Sequence, residues 1–138
     1  MAIVTIIGAG MMGSALAFPA RENGNEVRLV GTHLDREIIE TCRKTGRHPK
    51  FKTDFPAGVT YYQIEEMEHA IEGADLIIGG VSSFGVEWFG DFVLPKIPDS
   101  IPVLSVTKGL LDMPDGKLLC YPEVWQKKLD AIGSHVEL

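Results

Sequence analysis

Ile3-Val4-Thr5-Ile6-Ile7-Gly8-Ala9-Gly10-Met11-Met12-Gly13 is the stretch whose reading decides the fold. Its first five residues form a short β-branched, apolar run that feeds directly into a Gly-x-Gly-x-x-Gly turn, the pattern of a buried strand followed by a dinucleotide-binding loop. The three glycines are expected to differ in role, with Gly8 taking the tight turn, Gly10 letting the backbone approach a pyrophosphate, and Gly13 letting the next helix lie against the strand. A helix starting near Met11 or Met12 would direct its unpaired amides, and the positive end of its dipole, at the phosphates. Helix-forming Ser14-Ala15-Leu16-Ala17-Phe18 follows, and a second strand over residues 26–30 arrives after Asn23-Gly24-Asn25. The glycines therefore stand in a strand, helix, strand crossover and not in an isolated turn.

Outward from there, residues 35–44 read as an amphipathic helix, with Ile38, Ile39 and Cys42 on one side and Arg36, Glu37, Glu40 and Arg43 on the other. Its entry, Gly31-Thr32-His33-Leu34, is a strand-to-helix loop, and Thr32 and His33 fall where such folds read the adenosine ribose. Residues 45–58 are loop-like, rich in Pro and Gly and carrying several cations. Residues 59–62 form a third strand, 65–72 a helix and 74–81 a fourth strand. Ser82-Ser83 then suit an N-cap before a helix through Trp88 to about residue 94. Residues 101–106 make a fifth strand running into Thr107-Lys108-Gly109. This alternation predicts an α/β fold, a doubly wound parallel sheet of Rossmann type with strand order 3-2-1-4-5 and helices on both faces. Ligands of such sheets sit beyond the carboxyl ends of the strands, so the loops at residues 8–13, 31–34, 81–83 and 107–109 are expected to converge on one cleft.

Several residues take blander expectations. Pro19 inside the first helix removes an amide donor, which predicts a kink or an early end. Trp88, Phe89 and Phe92 have helical spacing, expected as core or as an exposed covering face around Trp88 and Phe89. His48 and His69 read as surface residues, and Glu65, Glu66 and Glu68 as a solvated helix face.

At 138 residues and 45% hydrophobic, the chain is expected to form one domain over residues 1–138. A net charge of −6 argues against nucleic acid or an anionic membrane as partner, since either needs cationic surface. Cys42 and Cys120 are far apart, without metal-ligand spacing, and read as reduced thiols, so no metal site is expected. The apolar start lacks a basic leading segment and no run reaches the ~20 residues that cross a bilayer, which predicts a soluble cytoplasmic protein without membrane insertion. No Ser/His/Asp or Cys/His order supports nucleophilic catalysis.

NAD-specific folds usually place Asp or Glu at the tip of the second strand to accept bonds from the ribose hydroxyl. This chain has Gly31-Thr32-His33 there, with Arg36 close behind, an arrangement that favours NADP while leaving NAD open. Glu37 lies one turn late, although Asp35 could reach back.

Taken together, residues 8–16, Asn23-Gly24-Asn25-Glu26-Val27, Arg47-His48-Pro49-Lys50-Phe51 and above all Val106-Thr107-Lys108-Gly109-Leu110 resemble the amino-terminal domain of glycerol-3-phosphate dehydrogenase. The resemblance implies hydride transfer between a nicotinamide cofactor and carbon 2 of glycerol 3-phosphate or dihydroxyacetone phosphate, a phosphorylated triol and ketone. It places Lys108 in the catalytic site, near substrate and nicotinamide. It implies cofactor contacts at Gly8, Gly10, Met11, Met12, Gly13, Phe51, Val81, Ser82, Ser83 and Lys108. In the family a sixth strand and a helical substrate domain follow near residues 134–138, so the chain is expected to be the cofactor domain cut before that domain, inactive alone. The intact protein could form a homodimer. Met11-Met12 stand where many members have Ser and an aromatic, and Val81-Ser82-Ser83 where they have Val-Pro and a polar residue. Two alternatives stay open: a stand-alone NAD(P)-binding or sensor module, and the cofactor domain of another reductase such as ketopantoate reductase.

Overall fold

Apolar strands buried on both faces read as continuous hydrophobic runs, and the chain's first strand is built that way. In a computed structural model describing residues 1–138, β1 (Ile3–Ile7) is the centre of a five-stranded sheet. Around it lie β2 (Glu26–Val30), β3 (Val59–Tyr62), β4 (Leu76–Gly79) and β5 (Val103–Ser105), in the order β3-β2-β1-β4-β5 and all parallel. Ile7 stands opposite Val30 on one side and Gly79 on the other, which brings the ends of β1, β2 and β4 to one level. No helix is long and apolar enough to cross a membrane.

The side chains of β1 alternate between two cores. Val4 and Ile6 pack with Ala17 of α1 (Met11–Glu22) and with Ile39 and Cys42 of α2 (Arg36–Thr45). On the other face Ile7 joins Met67 and Ile71 of α3 (Met67–Ile71) and Trp125 and Leu129 of α5 (Tyr121–Ala131). Thr5 points into this second core, fully buried, and its hydroxyl donates to the Ala70 carbonyl at 2.6 Å, so the buried polar atom is satisfied.

Helix α1 does not stop at Pro19 but continues to Glu22. The carbonyl deprived of a donor is that of Ala15, an exposed residue whose carbonyl water can reach, while Ala17 and its neighbours keep the helix on the core. After β4 the expected single helix is a sequence of short turns: a 3₁₀ turn Ser83–Gly85, α4 (Val86–Trp88), a π turn Phe89–Val93 and a 3₁₀ turn Leu94–Lys96. Ser82 occupies the position before the first turn without making a side-chain cap. Val86, Phe89 and Val93 keep the spacing of one helical face through these turns, and Phe89 takes the core alternative, fully buried and stacked on Trp125 at 4.3 Å, while Trp88 and Phe92 stack on each other.

Beyond β5 comes a hairpin that the sequence pattern does not predict, β6 (Leu110–Asp112) paired with β7 (Leu118–Cys120), leading into α5. Trp125 of α5 is wholly buried and its indole N–H donates to the Val86 carbonyl at 2.9 Å. Residues 134–138 return beside β5 without forming a strand, and the Val103 N–H donates to the Glu137 carbonyl at 2.8 Å. His48 is another correction: the 46–58 connection folds inward at this residue, leaving it 1% exposed instead of on the surface.

Candidate functional site

At the carboxyl ends of β1, β2 and β4 three loops enclose a cleft of about 310 Å³, which has Gly8 and Gly10 on its floor side. Thr32, His33, Leu34 and Asp35 line it after β2, and Gly80, Val81 and Ser82 after β4, with Phe84, Gly85 and Trp88 closing the wall.

The glycines divide into two kinds. Gly8 has φ +117°, a backbone conformation that disfavours a side chain, and a Cβ there would stand 2.6 Å from the Gly80 carbonyl oxygen. A Cβ on Gly13 would collide with the Gly8 carbonyl oxygen, and one on Gly80 would touch the Gly13 Cα at 3.0 Å. These three residues are glycine because β1, α1 and β4 meet there backbone to backbone. Gly10 is different, since a Cβ at this position would find nothing within 4 Å. It precedes α1 without any side-chain cap, in front of the helix's unpaired first amides. Protein packing leaves Gly10 unexplained, whereas a phosphate group brought close to the backbone would require it. This cradle fits a dinucleotide.

Asp35 ties two of the loops together. Its Oδ2 accepts the Ala9 N–H at 3.1 Å, the Thr32 N–H at 2.9 Å and the Thr32 hydroxyl at 3.0 Å. The Thr32 hydroxyl oxygen in turn accepts the Leu34 N–H at 3.2 Å. The carboxylate at this strand tip is thus turned into the protein's own backbone. Across the cleft the exposed His33 ring leans on Trp88, with centroids 5.5 Å apart.

Of the expected residues, Gly8, Gly10, Thr32, His33, Val81 and Ser82 come together on this cleft. Met11 and Met12 begin α1 with exposed side chains and do not line it. Gly13 is packed beneath the loop, and Ser83 opens the 3₁₀ turn, exposed, outside the lining. Arg36 sits outside too, its guanidinium held by both carboxylate oxygens of Glu65. That pairing holds the Glu65 carboxyl below its ordinary range and raises the guanidinium. Phe51 lies under the loop and stacks on His48 at 4.6 Å. Lys108 is exposed, makes no hydrogen bond or ion pair and is not in the lining, although its neighbour Thr107 anchors the turn by donating its hydroxyl to the Val81 carbonyl. Gly109 in the same turn has φ +142° and lies against the buried Tyr121, whose hydroxyl a Cβ would meet at 2.6 Å.

Sequence reasoning misses Gly80, Phe84, Gly85 and Trp88 as cleft residues and His48 as a buried group. The Gly79-Gly80 pair directly after an apolar strand is the available signal for a close backbone approach.

Comparison with known proteins agrees with this fold. The family pattern described as NAD-dependent glycerol-3-phosphate dehydrogenase N-terminus matches residues 3–134. An NADP(+)-dependent glycerol-3-phosphate dehydrogenase of Archaeoglobus fulgidus is 41% identical over 129 residues, covering 93% of this chain and 38% of that protein. The crystal structure of glycerol-3-phosphate dehydrogenase from Coxiella burnetii superposes with a TM-score of 0.78 at 25% identity, over 93% of this chain and 38% of its own. A ketopantoate reductase from Ralstonia eutropha shares the fold at a TM-score of 0.63 and 21% identity, over 98% of this chain and 39% of its own. The chain thus spans about two fifths of the length of these relatives. Its glycine cradle, sheet order and match along nearly all of its residues make it a member of the NAD-dependent glycerol-3-phosphate dehydrogenase N-terminus family.

Proposed function

We propose that this chain is the cofactor-binding domain of an oxidoreductase that interconverts glycerol 3-phosphate and dihydroxyacetone phosphate. Its cofactor is NADP, with NAD as the weaker alternative. The observation that carries the reading is Gly10, a glycine that the protein's own packing does not need, set before the free amides of α1. The bound nicotinamide cofactor supplies the hydride. The chain's residues do the holding: the amides of Met11 and Met12 meet the pyrophosphate, and Thr32 and His33 meet the adenosine ribose. Val81 and Ser82 form the opposite wall.

The choice of NADP is supported by the engagement of Asp35 at the β2 tip, whose Oδ2 already accepts three protein hydrogen bonds. The name of the Archaeoglobus relative supports it as well. Arg36 would serve a 2′-phosphate only by releasing Glu65. Lys108, a flexible point charge on a turn anchored to the β4 loop, is assigned to the substrate side, where it would polarise the carbonyl oxygen or meet the phosphate. One lysine cannot both orient the substrate and stabilise the developing charge, so this chain alone is expected to bind cofactor without turnover. The intact enzyme is assigned to the cytoplasm, acting on a small phosphorylated substrate as a homodimer and without nucleic acid.

Calorimetric titration of NADPH and NADH into the wild-type chain and Gly10→Val tests the core of this reading. The open space at Gly10 lets the variant fold, and its affinity should fall by at least about tenfold, as expected when close backbone contacts to a phosphate are blocked. Unchanged affinity in a folded variant overturns the cradle. Tighter binding of NADH by the wild type overturns the choice of NADP.

A further inference from the structure

We propose that His48 is a positioning residue for the glycine-rich loop, holding the Ala9 carbonyl so that the Gly10 amide stands ready for the dinucleotide. This rests on the cofactor reading above. His48 belongs to the 46–58 connection between α2 and β3 and is 1% exposed, while Arg47, Pro49 and Lys50 around it are more open to solvent. The Lys50 backbone N–H donates to its Nδ1 at 3.1 Å, so Nδ1 carries a lone pair and the ring hydrogen resides on Nε2. Nε2 lies 3.0 Å from the Ala9 carbonyl oxygen and donates to it. The imidazole is held flat by Phe51, which in turn packs on Phe18 of α1.

The direction of that bond matters because a trans peptide is planar, with its C=O and N–H pointing opposite ways. The Ala9 carbonyl and the Gly10 N–H belong to one peptide unit. A carbonyl pulled inward by His48, and also by the Ser14 hydroxyl at 3.1 Å, sends the Gly10 N–H outward, where no protein acceptor meets it. On the other side of the residue the Ala9 N–H is held by Asp35. Gly10 has no side chain and no neighbour to orient it, so the orientation of its amide is set through Ala9.

His48→Gln and His48→Asn separate the latch from mere filling of the buried site. A glutamine amide reaches the Ala9 carbonyl as Nε2 does, whereas the shorter asparagine keeps only an acceptor for the Lys50 N–H; both lose the stacking on Phe51 alike. With NADPH as the probe, His48→Asn should raise Kd about tenfold, the worth of one hydrogen bond, and His48→Gln should stay within about threefold of wild type. Both should lose similar thermal stability. Equal affinities in the two variants, or a larger loss in His48→Gln, overturn the latch. Wild type that binds neither NADPH nor NADH overturns the cofactor reading instead. Nitrogen NMR of the wild-type imidazole needs no variant to fold: a hydrogen on Nε2 supports the latch and a hydrogen on Nδ1 overturns it.

Discussion

The glycine-rich loop after β1 and the Thr107-Lys108-Gly109 turn after β5 leave the same edge of one sheet, yet they are built differently. In the first, the frame is fixed by the protein itself: Gly8, Gly13 and Gly80 interlock, and Asp35, Ser14 and His48 hold both polar groups of Ala9, while the amides that follow stay free. In the second, Thr107 and Gly109 are fixed, but the lysine between them stands free in solvent. A site made of backbone can be completed inside a few neighbouring elements, because helix ends and glycines need no distant side chains. A site made of side chains needs several of them aimed at one point, and a lone lysine has geometry only when others join it.

Substitutions can break or sharpen this contrast, and their expected effects on stability fall in order. Gly13→Ala should be the most damaging, costing about 3 kcal/mol, since the new methyl meets a carbonyl oxygen within rigid backbone. Urea unfolding measures it, and a cost near zero would mean the interlock is looser than described. Asp35→Ala should cost about 2 kcal/mol by leaving the Ala9 and Thr32 amides without an acceptor, and it should also weaken NADPH binding.

Stability should also fall with alkali, in the layer beneath the cradle. Burial pushes the Cys42 thiol up to about 11 from 9.0, and the Tyr61 hydroxyl up to about 12 from 10.0. Each group binds its proton more tightly folded than unfolded, so the stability it contributes is intact below pH 9 and drains away as pH rises, between 9 and 11 for Cys42 and between 10 and 12 for Tyr61. Unfolding free energies at a series of pH values check this, with Cys42→Ala flattening the lower part of the decline. Lys108→Ala should move stability by no more than about 0.5 kcal/mol, as for other unpaired surface residues. In a protein of the relatives' full length that carries this domain, the same change should lower reduction of dihydroxyacetone phosphate about a hundredfold. Full activity there would remove Lys108 from the chemistry.

Legibility in the sequence follows the same division. The strand and glycine loop are readable from residues 3–13 because backbone-driven features have residue-type signatures, and β3 falls on its expected residues 59–62. The facing of the segment after β4 is readable, since Val86, Phe89 and Val93 keep helical spacing on the buried side, but its division into short turns with a π turn at Phe89–Val93 is not, because no residue type marks the change in hydrogen-bond pattern. The β6–β7 hairpin has only three residues per strand, too few for alternation to stand out, although Pro114-Asp115-Gly116 between Leu111 and Leu118 marks its turn. His48 is hidden differently: it lies in an irregular segment with no period to report burial, and histidine occurs inside and outside proteins alike. Asp35 reads from sequence as a residue able to reach the ribose, but its three internal bonds include a contact with Ala9 that only the folded chain creates.

The close approach of Gly8, Gly13 and Gly80 has a bearing on how the molecule assembles. Gly80 follows β4, which joins β1 only after the β2 and β3 units have been traversed, so the loop acquires its lower support through one of the most non-local pairings in the sheet. A nascent or partly opened chain carrying only the first crossover has the glycine motif but not the seat that shapes it. The dinucleotide would therefore recognise the completed sheet and not its first unit, and by mass action its presence would protect the domain against global unfolding. Cellular cofactor supply thereby becomes a factor in how long the folded protein persists.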